Sequence, residues 1–262
     1  MTHTSFVTAF LALLSLCAVI AAPVMAFFWS RAVLPPPVQV SERLLPTPEA
    51  ARHTVASRLS QFGQAARTRL QPAFQEADLP YPPAEVVMVG LKRERRLELY
   101  GKAPEGELQF VKSYPLQAWT GSLGPKLMEG DMQIPEGVYG VEYLNPNSVA
   151  HVSLKIGYPN PFERARGVED GRDNLGGDIM IHGWTNGSQG CIVVKDEDVE
   201  EIFTLASDTG LGRMRILLAP SDLRRKPAEI PAEAPPWTEA VYRDLVDEMA
   251  HLPLPSIQVA GD

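Results

Sequence analysis

At Val86 the hydrophobic period of this chain changes, and that change restricts the fold more than any other feature. Upstream, apolar residues recur at helical spacing. Downstream they fall into short runs parted by Gly, Pro and charged turns: Val86–Val89, Leu97–Tyr100, Phe110–Tyr114, Val138–Tyr143, His151–Ile156, Ile179–Ile181, Cys191–Val194 and Met214–Leu218. The alternation in His151–Ile156 sets Val152, Leu154 and Ile156 on one face. One helical pattern interrupts the runs, with Val199, Ile202, Phe203 and Ala206 inward. It opens on Asp196, Glu197 and Asp198, acids suited to the positive end of a helix, and stops at Gly210. Many short strands and one helix predict a mainly β domain over about residues 84–220.

The flanks have a different character. Phe6–Trp29 carries no charged side chain and is long enough to span a bilayer. It fits a secretory signal equally well, with Val24-Met25-Ala26 as the cleavage site. Residues 1–29 are therefore a signal peptide or a membrane anchor, and either exports the rest of the chain. Residues 30–83 hold a proline-rich linker beginning at Leu34-Pro35-Pro36-Pro37, then an amphipathic helix. Thr47-Pro48 is its expected start, Val55, Leu59, Phe62, Ala66 and Leu70 its apolar stripe, and Pro72 its expected end. With Arg and Gln outward, the helix packs on the main domain or forms a stalk; self-association is the alternative. Residues 221–262 form a Pro-rich tail with a last helix from Thr238, carrying Val241, Leu245, Met249 and Leu252 inward and ended by Pro253. The net charge of -8, with no basic run, argues against nucleic acid as a partner.

The chain has two cysteines, and Cys17 lies in the apolar N-terminal segment. That leaves Cys191 as a lone thiol in an exported region, so it either pairs with another chain or stays reactive. His182 ends one predicted strand and Cys191 begins the next. If those strands pair as a hairpin, the imidazole reaches the thiol and can take its proton. Gly190 keeps the backbone beside the thiol uncluttered for main-chain donors to an oxyanion. Ser188 can bond that backbone or a substrate. The plain alternative makes Cys191 a small buried hydrophobe and His182 an unrelated strand end. A metal site from Cys191 and His182 with His151 or Asp178 lacks the paired spacing of structural zinc, so neither metal nor cofactor is expected. Asn186-Gly187-Ser188 fits a tight turn between the strands better than a glycosylation acceptor.

The segment from Gly177-Asp178-Ile179-Met180-Ile181-His182-Gly183 to Ser188-Gln189-Gly190-Cys191-Ile192 resembles the active-site signature of the L,D-transpeptidase catalytic (YkuD-type) family. Within it, the YafK-like branch is the most similar. Gly124-Pro125-Lys126, the run Glu129–Tyr139, Asn145-Pro146 and Ser153–Asn160 match in order, so the resemblance covers about residues 84–220. It implies a β-sandwich with one short helix after the nucleophile, here with flanking N- and C-terminal helices. It also implies attack on the amide between the L-centre of meso-diaminopimelate and D-alanine in peptidoglycan stem peptides, through a cysteine thioester that an amine resolves. By motif position, Cys191 is the nucleophile, His182 the base, and the Gly183 carbonyl orients the imidazole. Gly190 with Cys191 forms part of the oxyanion hole. Ser188, Gln189 and Trp184 are substrate-binding candidates, Trp184 by stacking on a glycan unless it merely covers the strands. Lys126 is a cationic candidate for substrate carboxylates, against the plainer reading of a solvated lysine, while Tyr158 and Asn160 are structural.

Gln189 and Val193 stand where many members of the family have His and Arg or Asn, and the His182–Cys191 loop is shorter than theirs. These departures fit the YafK-like branch, which implies hydrolytic release of wall-linked groups as an alternative to cross-linking. The expected function is an exported cysteine-dependent L,D-transpeptidase of the cell envelope or periplasm, soluble after signal cleavage or anchored to the inner membrane. The alternatives are an L,D-carboxypeptidase or a hydrolase that releases a wall-linked protein, and a non-catalytic peptidoglycan-binding module.

Overall fold

Glu85–Leu91 (β1) is buried from Val86 to Leu91 because each of its faces meets a separate core. Val86 and Met88 enter the larger core, while Val87, Val89 and Leu91 enter a smaller one on the opposite face. The computed structural model describes residues 52–184 and 187–255. The apolar Phe6–Trp29 segment, the proline-rich linker and the Thr47-Pro48 start lie outside the described residues. No helix among the described residues is long and apolar enough to cross a membrane.

The other strands are β2 (Arg96–Lys102), β3 (Leu108–Pro115), β4 (Gly137–Asn145), β5 (Ser153–Ile156), β6 (Met180–His182), β7 (Ile192–Val193) and β8 (Met214–Ala219). They form one sheet in the order β3-β2-β1-β8-β4-β5-β6-β7. β1 pairs with β8 in parallel, which suits strands buried on both faces. β4 joins two leaves of the sheet. Gly137–Gly140 pairs with β8, and Val141–Asn145 pairs with β5 across a bulge between Val141 and Tyr143. A bulge bends its strand and increases the local twist, which curls the sheet. The domain is mainly β, as the run of short strands predicted.

The helices close the cores. At the N-terminus, α1 (Val55–Arg58), a π-helical turn (Leu59–Gly63) and α2 (Gln64–Glu76) run without a break. The start within the described residues is Thr54, whose hydroxyl accepts from the Ser57 N–H in a capping box. Pro72 does not end this helix. It forfeits one backbone bond inside α2, but the next turn carries Phe74 into the core, a burial that offsets it by about 1.5–3 kcal/mol. Nor is the arginine face simply solvated. Arg67 grips Asp208 through two bonds of 2.7 Å, and Arg69 bonds Glu200 and Glu201 at 2.9 and 3.0 Å.

Those acids lie on α4 (Asp196–Thr209), the helix expected after Cys191, which buries Val199, Ile202, Phe203 and Ala206. α5 (Thr238–Met249) covers the smaller core with Val241, Leu245 and Met249, as its spacing predicted. α3 (Pro161–Glu169) was not expected. Asn160 caps it, Pro161 occupies the first turn, and Glu163 returns a bond to the Asn160 N–H at 2.7 Å.

Leu70 is fully buried in the larger core, so Leu70→Ala should cost about 3 kcal/mol of unfolding free energy in chemical denaturation. A loss under about 1 kcal/mol would mean that the N-terminal helix does not fold as part of the domain.

Candidate active site

β6 and β7 pair in parallel, with Ile181 opposite Ile192 and His182 opposite Val193. The expected hairpin is therefore wrong, since parallel strands cannot be joined by a tight turn, and residues 187–191 are a loop that leads into β7. Ser188 and Gly187 belong to that loop; Asn186 lies outside the described residues. Parallel pairing still brings the two candidate residues to one place. His182 at the end of β6 and Cys191 before β7 line the same cleft, of about 850 Å³. On the far side of β7, Ala118 bridges Val193 and the Gln117 N–H donates to the Val193 carbonyl at 2.8 Å. That contact brings Thr120 against the cysteine loop.

His182 is buried, and its Nδ1 lies 2.7 Å from the Gly183 carbonyl oxygen. A carbonyl only accepts, so Nδ1 carries the proton and Nε2 keeps a lone pair for the cleft. Burial pushes the imidazole below its ordinary range, against the opposing pull of the Gly183 bond. Gly183 has no room for a side chain: a Cβ there would strike the Asp196 carboxylate and come within 2.9 Å of the Ala150 carbonyl. Asp196, in the first turn of α4, also accepts from the Trp184 N–H at 3.0 Å. The helix expected after the cysteine thus fixes the turn that follows the histidine.

The Cys191 sulfur accepts from the Met180 N–H at 3.4 Å and faces the Asp178 carbonyl at 3.7 Å. Burial pushes the thiol up from its ordinary value. The Met180 N–H opposes that rise, the Asp178 charge adds to it, and Lys126 and Lys155 oppose it. Both shifts favour the uncharged forms, so the pair rests as thiol and imidazole rather than as thiolate and imidazolium.

The remaining candidates separate by their contacts. Ser188 is buried, and its hydroxyl donates to the Cys191 carbonyl at 2.7 Å while accepting from the Gly190 N–H at 3.1 Å. It organises the loop and also lines the cleft. The Gly190 N–H also reaches Thr120 Oγ1 at 3.1 Å, so this amide is already engaged as a donor. What Gly190 supplies is its path: φ is +107°, and a Cβ would lie 2.5 Å from the Gln133 carbonyl oxygen. Gln189 is exposed and lines the cleft. Trp184 is 54% exposed but is not among the residues that line it. Lys126 is neither solvated nor in the cleft: it is 4% exposed, bonded to Asp131 at 2.6 Å and to the Met128 carbonyl at 2.9 Å. Asp131, five residues on, takes up the charge that the sequence left free. His151, considered above as a metal ligand, turns to Glu200 at 3.0 Å.

The profile of the L,D-transpeptidase catalytic domain (YkuD) matches residues 85–217. The chain belongs to the L,D-transpeptidase catalytic-domain family. It is 40% identical over 114 residues to a protein of Escherichia coli strain K12 named "Putative L,D-transpeptidase YafK", a match covering 43% of each chain. The matched part thus spans less than half the length of that relative. Among solved structures, the helical cell shape determining protein Pgp2 of Campylobacter jejuni aligns over 63% of this chain and 54% of its own, with 21% identity and a TM-score of 0.44. L,D-transpeptidase 1 of Mycobacterium tuberculosis aligns over 52% and 62%, with 13% identity and a TM-score of 0.30.

In this L,D-transpeptidase-family domain, the cleft has a second wall that the motifs did not reveal. Asn145, Asn147, Ser148, Val149 and Ala150 form it, with Met132, Met180 and Ser153 nearby. The Asn-Pro-Asn-Ser run at 145–148 is a turn signal between two strands, which marks a loop but not its neighbour. Ser153 stands directly opposite His182 in the β5–β6 ladder. Its hydroxyl is buried and has no partner among the described residues, and the residue lines the cleft.

A neutral resting thiol should react with iodoacetamide at a rate that climbs from about pH 7 to beyond about pH 9. A plateau reached by about pH 6 would instead mark a preformed thiolate–imidazolium pair.

Proposed function

We propose that this chain is an exported cysteine acyltransferase acting on peptidoglycan stem peptides, an L,D-transpeptidase with Cys191 as nucleophile and His182 as base. The observation that carries this reading is that the thiol and an imidazole with its Nδ1 proton committed to the Gly183 carbonyl share one cleft. The uncharged pair suits a base that acts during attack. As Sγ bonds to the carbonyl carbon between meso-diaminopimelate and D-alanine, its proton passes to Nε2. The Cys191 N–H, which has no acceptor among the described residues, is the main-chain donor left for the oxyanion once Gly190 is engaged. Collapse breaks the C–N bond, and the imidazolium returns its proton to the departing D-alanine amine. The thioester then passes to an amine of a second stem, which loses a proton to His182, and the thiol is restored.

Gln189 offers an uncharged amide to the peptide, and Ser153 an unused hydroxyl within reach of the reacting groups. The Phe6–Trp29 segment supports export to the cell envelope, where peptidoglycan is found. Water in place of the amine would make the enzyme an L,D-carboxypeptidase or a hydrolase releasing a wall-linked protein.

The test is mass spectrometry of products after the chain from residue 30 meets tetrapeptide muropeptides and a D-amino acid. Exchange of D-alanine or a dimeric stem is expected. Cys191→Ala should lose at least about a thousandfold in rate, and His182→Ala about a hundredfold or more. In wild type the acid limb of turnover should lie below about pH 6.5, because burial delays protonation of His182. Loss of D-alanine without exchange assigns water as acceptor. No reaction at all sinks the stem-peptide reading in favour of release of a wall-linked protein or of a binding module.

A further inference from the structure

The wall of the cleft formed by residues 145–151 takes four of its hydrogen bonds from outside the family-matched segment. Arg58, in α1, donates from Nε to the Pro146 carbonyl at 2.8 Å and from its terminal nitrogen to the His151 carbonyl at 3.2 Å. Those carbonyls sit at the two ends of the loop, so one guanidinium spans its neck. Nearer the tip, the His53 N–H donates to Asn147 Oδ1 and Asn147 Nδ2 donates to the His53 carbonyl, both at 2.8 Å. This reciprocal pair uses the Asn147 amide as a strand partner would be used. At the base, His151 adopts a φ of +73°, unusual for a residue with a side chain. Its ring is held by Glu200 at 3.0 Å and packs on Phe62 with ring centres 5.7 Å apart.

Within the family-matched segment the loop has one backbone tie to the turn after His182, the Gly183 N–H donating to the Ala150 carbonyl at 3.2 Å. Its other bonds beyond the His151 ring are local. Asn147 N donates to Asn145 Oδ1 and Ala150 N to the Ser148 hydroxyl, which shape the turn without fixing its direction. The neck and the Asn147 side of the loop are held by the N-terminal segment, itself anchored by Leu70 and Phe74. At the tip, Val149 is fully exposed, an apolar side chain presented to whatever occupies the cleft.

We propose that Arg58, with the His53–Asn147 pair, positions the 145–151 loop as the substrate-gripping wall of the Cys191 cleft. The N-terminal helix then belongs to the active site, and Arg58 is a positioning residue that sets affinity for the peptide rather than the chemistry of the thiol. The affinity part rests on the stem-peptide reading above; the clamp itself rests on the bonds alone.

Arg58→Ala in the full chain separates the two parts. Amide hydrogen exchange should speed up at least about tenfold within 145–151 and stay unchanged at 179–182. KM for the tetrapeptide stem should rise about tenfold, with kcat within about threefold of wild type. The rate at which iodoacetamide alkylates Cys191 should stay within about twofold, since so small a reagent does not need the wall. Arg58→Lys, able to reach one carbonyl, should recover part of the KM loss.

Unchanged exchange in 145–151 would overturn the clamp whatever the activity. Faster exchange with an unchanged KM would overturn the affinity role. A parallel fall in kcat, alkylation and melting temperature, with no recovery in Arg58→Lys, would reduce Arg58 to general stability and overturn the proposal. If wild type turns over no stem peptide, the functional reading falls, and the exchange result alone decides the clamp.

Discussion

β4 pairs with two different strands along its length, and the cleft depends on that division. Gly137–Gly140 holds β8 and so belongs to the doubly buried centre of the sheet; Val141–Asn145 holds β5, which in turn holds β6. The bulge between Val141 and Tyr143 lets one strand serve both leaves. His182 hangs from the second leaf, directly opposite Ser153, and the loop leaving β4 becomes the far wall of the cleft. A straight β4 would carry β5 and β6 onward in the plane of β8 and separate the histidine from its surroundings. The rigid centre, with β1 and β8 buried on both faces, is what keeps the thin β6 and β7 edge in place.

Around the sulfur the balance is electrostatic. Two buried lysines favour the thiolate, as does the Met180 N–H; desolvation and the nearby Asp178 charge oppose them and prevail. His182 is lowered for the same reason. Burial therefore favours the uncharged form of both groups. The glycines do a separate task. Gly183 and Gly190 allow backbone approaches to Asp196 and to the Gln133 carbonyl that any side chain would obstruct. These approaches hold the turns beside His182 and Cys191.

Much of this was legible in the sequence, where burial has a period. The alternation of Val152, Leu154 and Ile156, the acids opening α4 and the stripe of α5 each state one face of one element. The direction of β7 was not legible. Ile192–Val193 is two residues long, and so short a strand carries no pattern that separates parallel from antiparallel pairing. α3 escaped because its apolar residues are too few to set a period, although Asn160-Pro161 followed by Glu163 spells its cap. Cys191 and His182 stood out by residue type. Lys126 misled because its partner Asp131 acts through folding, and the 145–151 wall was hidden because its support comes from His53 and Arg58, far away in sequence.

The central claim is a covalent one: a stem peptide acylates Cys191. Intact-protein mass spectrometry of a rapid acid quench, followed by peptide mapping, tests it most directly. The account predicts that tetrapeptide muropeptide adds its own mass less that of D-alanine, on the peptide containing Cys191, and that hydroxylamine removes the adduct as a thioester requires. Turnover with no adduct at any quench time in His182→Ala or wild type, or an adduct on a peptide lacking Cys191, would contradict it.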